Sequence, residues 1–344
     1  MALWLVRAGG HGEFEKKFLD ESKIYLTWEG IDTNLGQFKD RDDLRNYLER
    51  IYPDSSKGTI TNHTSQIWAF SHSIKSGDWV VLPSKHKSAI HIAKVKSSLN
   101  YDDNAEDIYR HCYQVDWFAT DIPRSNFDQD ILYSFGAFMT VCQIKRNDAE
   151  NRIRAMNKNN WHVTTKAITQ NYDTEEEVDS GYSDLAQIAK DQIAKLILAK
   201  YKGHGMARLV NAILEAQGYT THVSAEGPDK GIDILAAPGP MGFGEPRICV
   251  QVKSGDTPLD TPTLNQLIGT MQNVQAQHGL FVSWGGFKNS VDKEKAVQFF
   301  RVRLWDRDNL IEELLENYEK LDDSIRAELP LKRIWTIAQT ESDD

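Results

Sequence analysis

The chain has 344 residues, 40% of them hydrophobic, and a formal net charge of −10. That length exceeds a typical single domain and the apolar share supports packed cores, so two domains are expected. Basic and acidic groups number 18 and 22 in residues 1–150 and 18 and 23 in residues 183–344, which excludes a bulk basic nucleic-acid module but not a local basic cleft.

In chain order, "LWLVRAG", "KIYLTW", "GDWVVLPS", "AIHIAKVKS", "CYQVDWFAT" and "AFMTVCQI" read as strands between turn signals. The segment "DRDDLRNYLERIY" has helical spacing, with Leu44, Tyr47, Leu48 and Ile51 on one face. A second helix is predicted over "SQIWAFSHSI". Residues 1–150 therefore form a mostly β domain. The polar stretch 151–182, with "NKNN" and "DTEEEVDSGYSD", has little core potential and is read as a linker. From 183 the rhythm changes. A helix over "DLAQIAKDQIAKLILAKY" is followed by the amphipathic "GMARLVNAILEAQG", closed by Gly218. Strands "YTTHVSA", "GIDILAA" and "RICVQVKS" precede a helix over "TPTLNQLIGTMQNVQAQHG". Strand "GLFVSW", helix "SVDKEKAVQFF", strand "VRLWD" and helix "DNLIEELLENYEKL" complete the pattern. This alternation predicts an α/β layer with partly parallel strands over residues 183–344.

No run of about 18 apolar residues reads as a membrane span, and the apolar start "MALWLVRAGG" is too short for a secretory signal with its cleavage site. Cys112, Cys142 and Cys249 lack CxxC spacing, which argues against a disulfide framework or structural zinc. The expected compartment is a reducing cytoplasm.

Two strand-like runs contain charge. In "GIDIL", strand alternation would turn Ile232 and Ile234 one way and Asp233 the other. In "CVQVKS", Gln251 and Lys253 share a face while Val250 and Val252 enter the core. A hairpin through the loop with Pro238, Gly239, Pro240, Gly242 and Gly244 would set Asp233 beside Gln251 and Lys253. Two readings fit. One is a cross-strand Asp–Lys pair on a solvated face. The other is an oxygen site for Mg²⁺, with a lysine to orient water or stabilise charge on a phosphate.

The surrounding pieces add to this. "ARLVNAILEAQGY", "DKGIDILA", "CVQVKSG", "LNQLIGTMQNVQAQHG", "GLFVSWGGF" and "VRLWDRDNLIEELLENY" run in this order from Gly203 to Tyr318. They resemble the catalytic domain of the Mrr-like restriction endonucleases of the PD-(D/E)xK nuclease superfamily. The resemblance implies a restriction-endonuclease-like mixed sheet flanked by helices, acting on double-stranded DNA with Mg²⁺ or Mn²⁺. It implies catalytic roles for Asp233, Gln251 and Lys253. Asp233, the Gln251 side-chain carbonyl and the Val252 backbone carbonyl would be metal ligands. Glutamine in place of glutamate leaves one negative charge fewer, so a millimolar Mg²⁺ requirement is expected. The family's glutamate early in the first helix is replaced here by Ala207. Glu226 and Asp229 are the substitute acids within reach in the sequence, although acids in a Gly/Pro turn are more often solvated. Gln266 and Gln272, on the helix after Lys253, and Ser283, Trp284 and Lys288, after the next strand, would border the DNA side. A solvated surface is the plainer reading of each.

Residues 1–150 resemble a PUA-like, EVE-type barrel, through "LWLVRAG", "IKSGDWVVLPS", "IHIAKVKSSLNY" and "YRHCYQVDW". The resemblance implies a reader of a modified base flipped from a duplex. Among Trp28, Trp68, Phe70, Trp79, Tyr101, Tyr109, Trp117 and Phe118, Trp28, Tyr101 and Trp117 lie near strand ends and are the candidate stacking residues. Asp116 is the candidate partner for an exocyclic amine, and His111 is read as structural. The leading reading is a modification-dependent DNA endonuclease of the restriction type, acting as a homodimer. The alternatives are a nucleic-acid-binding sensor with a weak or inactive nuclease domain, and a nuclease gated by a nucleotide signal.

Overall fold

The computed structural model describes residues 1–137, 139–161, 184–224 and 231–335. Contacts group them into two units, Met1–Ile188 and a second that begins at Ala189.

In the first unit, β1 (Leu3–Val6), β2 (Lys23–Tyr25), β3 (Trp79–Pro83), β4 (Ala89–Val95), β5 (Asn100–Tyr101), β6 (His111–Pro123) and β7 (Val141–Gln143) share one sheet. The path is β2-β6-β4-β3-β1-β7, with β5 also on β6. β1 and β3 are parallel. Such a pair needs a long crossover, and the chain between them supplies α1 (Glu15–Asp20), α2 (Arg41–Ile51) and α3 (Lys57–Trp68). Asp40 caps α2 and Ser56 caps α3. α4 (Gln129–Phe135) and α5 (Ala149–Lys158) follow β6 and β7.

The sheet is buried on both faces. Leu3 and Leu5 of β1 join Val81, Ile90 and Ile92 in one core, closed by Ile131 and Phe135 of α4 and Ile153 and Met156 of α5. Trp4 and Val6 join Val80 and Leu82 in the other, closed by Phe18 of α1, Leu44 and Leu48 of α2, and Ile60 and Ile67 of α3. This is why "LWLV" and "WVVLP" read as unbroken apolar runs rather than alternating ones.

Hydrogen bonding among the described residues does not close the barrel expected for this unit. The strand path ends at β2 and β7, which pair only with β6 and β1 among the described residues. Closure would join such ends, and a small barrel has room inside only for side chains, not for a helix layer. The unit also runs past residue 150. α5 places Ile153 and Met156 three residues apart on a buried face, so residues 151–158, expected to begin a linker, belong to the core instead. The expected helix start near Ser183 lies outside the described residues.

The second unit holds β8 (Tyr219–Val223), β9 (Ile234–Pro238), β10 (Ile248–Lys253), β11 (His278–Ser283) and β12 (Val302–Trp305), in the order β12-β11-β10-β9-β8. β10, β11 and β12 are parallel, while β8, β9 and β10 pair antiparallel. The helices are α6 (Leu185–Tyr201), most of it in this unit, α7 (Gly205–Ala216), α8 (Thr261–Asn273), α9 (Asn289–Val297), α10 (Arg307–Asn317) and α11 (Asp323–Glu328). Val250 and Val252 of β10 pack with Ile197 of α6, Val210 and Ile213 of α7, and Ile311 and Leu314 of α10. Cys249 packs on the opposite face with Leu264, Leu267 and Met271 of α8. Gly279 lets α8 lie this close, since a Cβ there would stand 2.7 Å from Met271 Sδ.

One buried polar cluster ties α1 to the β3–β4 turn. Glu15 Oε1 accepts from Ser84 Oγ at 2.7 Å, Glu15 Oε2 accepts the Lys85 N–H at 3.2 Å, and His91 Nε2 stands 3.4 Å from Oε1. All three side chains are buried. Burial pushes the Glu15 carboxyl up, but the bonds from His91 and Ser84 outweigh it and leave the pKa below its ordinary 4.5. The carboxylate's contribution is therefore full above the unfolded-state value and is lost as pH falls through the lower folded-state value. Glu15→Ala, which removes the acceptor of the Ser84 hydroxyl, the Lys85 N–H and His91 Nε2, should destabilise the first unit by roughly 2–4 kcal/mol at pH 7. Urea unfolding from pH 7 to 3 should show the wild-type advantage shrinking below pH 4.5; an advantage that grows toward acid would contradict the assignment.

Candidate active site

Asp233 stands one residue ahead of β9, and its N–H donates to the Val250 carbonyl at 3.0 Å, continuing the β9/β10 pairing. Its own carbonyl accepts the Ser224 N–H at 2.9 Å. Asp233 Oδ2 accepts the Val252 N–H at 2.7 Å, a charge-assisted bond. The register Val250↔Ile234 brings position 251 opposite Asp233. The expectation that Ile232 and Ile234 share a face is not met. Ile234 enters the α7 core and Ile232 packs on the α8 side, because regular alternation starts only at Ile234.

Gln251 and Lys253 alternate with Val250 and Val252 and so share the α8 side of β10 with Cys249. Burial pushes the Cys249 thiol up to about 11, with the Asp233 charge adding to it. Lys253 is exposed at the strand end. Gln251 is 6% exposed, and its Oε1 accepts no hydrogen bond among the described residues. An unmatched buried oxygen of this kind costs about 1–3 kcal/mol. Gly231, at φ +79°, leaves room for this amide, since a Cβ there would stand 3.2 Å from Gln251 Nε2. A carboxylate beside an unsatisfied amide oxygen suits a hard divalent cation, which takes oxygen ligands. Among the described residues no group of three or more His, Cys, Asp or Glu side chains is placed to hold a metal, so any cation here depends on the amide and backbone oxygens as well.

The site lies at the carboxyl ends of parallel strands, where open α/β sheets bind their ligands. The Lys253 carbonyl accepts the Trp284 N–H at 2.8 Å, which joins the ends of β10 and β11. Gly285 is required beside it, because a Cβ there would fall 2.5 Å from the Asp256 carbonyl carbon. Gly203 N–H donates to Ser254 Oγ at 3.1 Å, drawing the α6–α7 turn to the loop after Lys253. Lys288 Nζ reaches Asp260 Oδ2 at 3.8 Å, and both are well exposed. Gln266 and Gln272 are exposed on α8. Ser283 is buried with its hydroxyl on the Gly286 carbonyl at 2.8 Å, and Trp284 is buried in the α7 core. Ala207 is buried in that same core, on the sheet face opposite Gln251. Glu226 and Asp229 lie outside the described residues.

In the first unit the four base-reading candidates have different surroundings. Trp117 donates its indole N–H to the Phe18 carbonyl at 3.0 Å and packs on the core. The Tyr101 hydroxyl sits 2.6 Å from the Asp32 carbonyl and 2.9 Å from Asp103. Asp116 pairs with Lys96 at 3.1 Å on the exposed surface. His111 is structural: its Nε2 accepts the Leu35 N–H at 3.2 Å, and burial pulls its pKa down to about 4. Trp28 alone borders a cleft, of about 230 Å³, with Glu13, Asn62, His63, Gln66 and Lys85 among its other walls. Sequence reading missed the α3 residues here. Their signal was present: His63, Thr64 and Gln66 are polar yet occupy the buried face of "TNHTSQIW".

Residues 198–314 match a family model described as a restriction endonuclease, that of the Mrr catalytic domain. Residues 4–144 match a model described as a domain of unknown function. Among solved structures, the chain is similar to the DNA modification-dependent restriction endonuclease AspBHI, with a TM-score of 0.34, 12% identity, and coverage of 91% of this chain and 80% of that one. It is also similar to the MspJI restriction endonuclease in complex with a 27-mer oligonucleotide, with a TM-score of 0.27, 13% identity, and coverage of 96% and 80%. No curated protein matches the chain. Among the described residues no helix is long and apolar enough to cross a membrane. Asp233, Gln251 and Lys253 all lie within the span that matches the restriction endonuclease family model.

Proposed function

We propose that the protein is a modification-dependent DNA endonuclease, in which the second unit hydrolyses phosphodiester bonds and the first reads a modified base in double-stranded DNA. One observation carries the reading. Within the span matched by the restriction endonuclease family, Asp233 is bonded to the Val252 N–H, stands opposite Gln251, and lies toward the strand end that presents Lys253.

Asp233 and Gln251 Oε1 would hold Mg²⁺ or Mn²⁺, with the Val252 carbonyl as a further oxygen. A divalent cation bound there supplies Lewis-acid polarisation of the scissile phosphate. The Val252 N–H fixes the Asp233 carboxylate, so its orientation does not have to be set when substrate arrives. The Lys253 ammonium, a compact charge with three donors, orients the attacking water and neutralises charge building on the phosphate. The neutral Gln251 leaves the centre one charge short of a carboxylate pair, which lowers cation affinity and supports half-saturation in the millimolar range. Cutting both strands calls for two such centres, which a homodimer provides.

Two measurements test this. With Mg²⁺ and modified plasmid, Asp233→Ala and Lys253→Ala should each slow cleavage by on the order of 10²–10⁴-fold while duplex binding persists. Wild-type rates in either variant would remove the site assignment, and equal cutting of unmodified plasmid would remove the reader. Binding of modified DNA with no nicking by wild type would identify a sensor instead. Separately, Gln251→Glu should lower the half-saturating Mg²⁺ concentration several-fold, by the added charge on a ligand. A titration of cleavage rate that shows no such decrease would exclude Gln251 as a ligand.

A further inference from the structure

Large apolar side chains stand in water at one end of the second unit. Met241, Phe243, Val297 and Phe299 are each more than half exposed, and Phe300 is 84% exposed. The first two come from the β9–β10 loop and the others from the end of α9 and the turn into β12. The fold fixes both segments at the same end of the sheet. A Cβ on Gly242 would stand 3.4 Å from the Thr220 side chain, so this loop lies against the start of β8. Gln277 donates to Glu245 at 3.1 Å and accepts the Arg247 N–H at 2.7 Å, which ties the loop to the start of β11. The Arg301 carbonyl accepts the Gly279 N–H at 2.8 Å and ties the other turn to the same strand.

A groove of about 500 Å³ opens here, lined by Tyr219, Ile248, Leu280 and Trp305 with Phe299 and Phe300. Ile248, His278 and Val302 begin β10, β11 and β12, and all three line it. The groove therefore lies at the amino ends of the parallel strands. Lys253 is at the other end of the six-residue β10, roughly 17 Å away.

Single exposed apolar residues are ordinary, but a contiguous patch marks an interaction surface. Its make-up selects the partner. Arg301, Arg303 and Glu313 line the groove, and Glu245 and Arg247 stand in the loop beside it. Phosphates, whether of nucleic acid or of lipid headgroups, would meet those carboxylates. Phe300 projects into water, unlike the wall of a site that encloses a small molecule. A two-fold contact requires a surface that complements itself, because a residue that meets another is met by it in return. This surface has a projecting ring beside a groove with apolar walls, and cations beside carboxylates. With the flanking loop residues it amounts to about twenty residues, the size of one side of a standard interface.

We propose that this face of the second unit binds a second copy of the chain about a two-fold axis. Phe300 of each protomer seats in the groove of the other, and the arginines of one face the carboxylates of the other. The contact rests on this surface alone and not on the nuclease reading. It differs from a pairing that would bring two centres to one break in a duplex, because it turns the two Asp233 centres away from the shared face.

Analytical ultracentrifugation of the full chain at micromolar concentrations, in EDTA and without DNA, tests this. Wild type and Asp233→Ala should sediment alike, as an assembly of more than one chain. Phe300→Asp and Phe243→Asp alter exposed side chains and should keep the wild-type melting temperature. Each should weaken the association about tenfold or more, as loss of an interface anchor does. Trp335→Asp, at an exposed aromatic that does not line the groove, should leave association unchanged. A monomeric wild type, or wild-type association in both groove variants, would overturn the proposal. The measurement contains no substrate, so a wild type that assembles but fails to cut DNA with Mg²⁺ would defeat the nuclease reading and leave this one standing.

Discussion

The Val252 N–H donates to Asp233 Oδ2 at 2.7 Å. Regular β pairing cannot position that carboxylate, because Asp233 precedes the first regular residue of β9. Three bonds take over. The Asp233 N–H goes to Val250, its carbonyl takes the Ser224 N–H, and its side chain takes Val252. A residue at the fraying end of a strand is thereby held to both neighbouring strands. Val252 sits between Gln251 and Lys253, so the bond references the acid to the same short piece of backbone that carries the amide and the ammonium. A charge-assisted bond to a sheet N–H is short and directional. It gives the rigidity that a loop-borne carboxylate lacks.

Burial explains why charged groups are confined to this end. Both faces of the second sheet are covered, one by α6, α7 and α10 and the other by α8 and α9. Charges cannot be placed along the middle of such a strand without strong penalties. Cys249, two residues upstream of Gln251 on the same face, is already dry enough for its thiol to be pushed up to about 11. Gln251 occupies the transition between that dry interior and the exposed Lys253. A neutral amide tolerates 6% exposure where a second carboxylate would not ionise easily without a cation. Glutamine at this depth lets this strand end fold around a single negative charge, and the proposed site would bind a cation less tightly as a consequence.

The sequence showed most clearly what alternates or is punctuated. The β9–β10 hairpin could be read because a Gly/Pro loop separates two apolar runs, and α7 because its stripe stops at Gly218, which adopts φ +95°. The path of the first sheet could not be read. Strands such as "WVVLP" are buried on both faces and lose the period that would assign each residue to a face. α1 was hidden for another reason: six residues have little helical stability of their own, and Glu15 anchors α1 through Ser84 and His91, some 70 positions away. The base-reading candidates show the same limit. Strand-end position singled out Tyr101 and Trp117, but partners 69 and 99 residues distant, Asp32 and Phe18, take up their polar atoms. Of the three aromatic candidates, it is Trp28 whose indole N–H has no partner among the described residues.

Gln251 Oε1 and Trp28 Nε1 are alike in one respect and opposite in another. Each is a buried polar atom without a hydrogen-bond partner among the described residues, in its own unit. Each costs the folded state about 1–3 kcal/mol that an apolar or bonded neighbour would have spared. A few such atoms are tolerated in native proteins, and each asks for a reason. Here the two polarities give different reasons. A cation would complete a lone oxygen acceptor. A lone N–H can be completed only by an acceptor. Satisfying either atom from within the protein would stabilise the fold and remove the difference between bound and free states on which recognition depends.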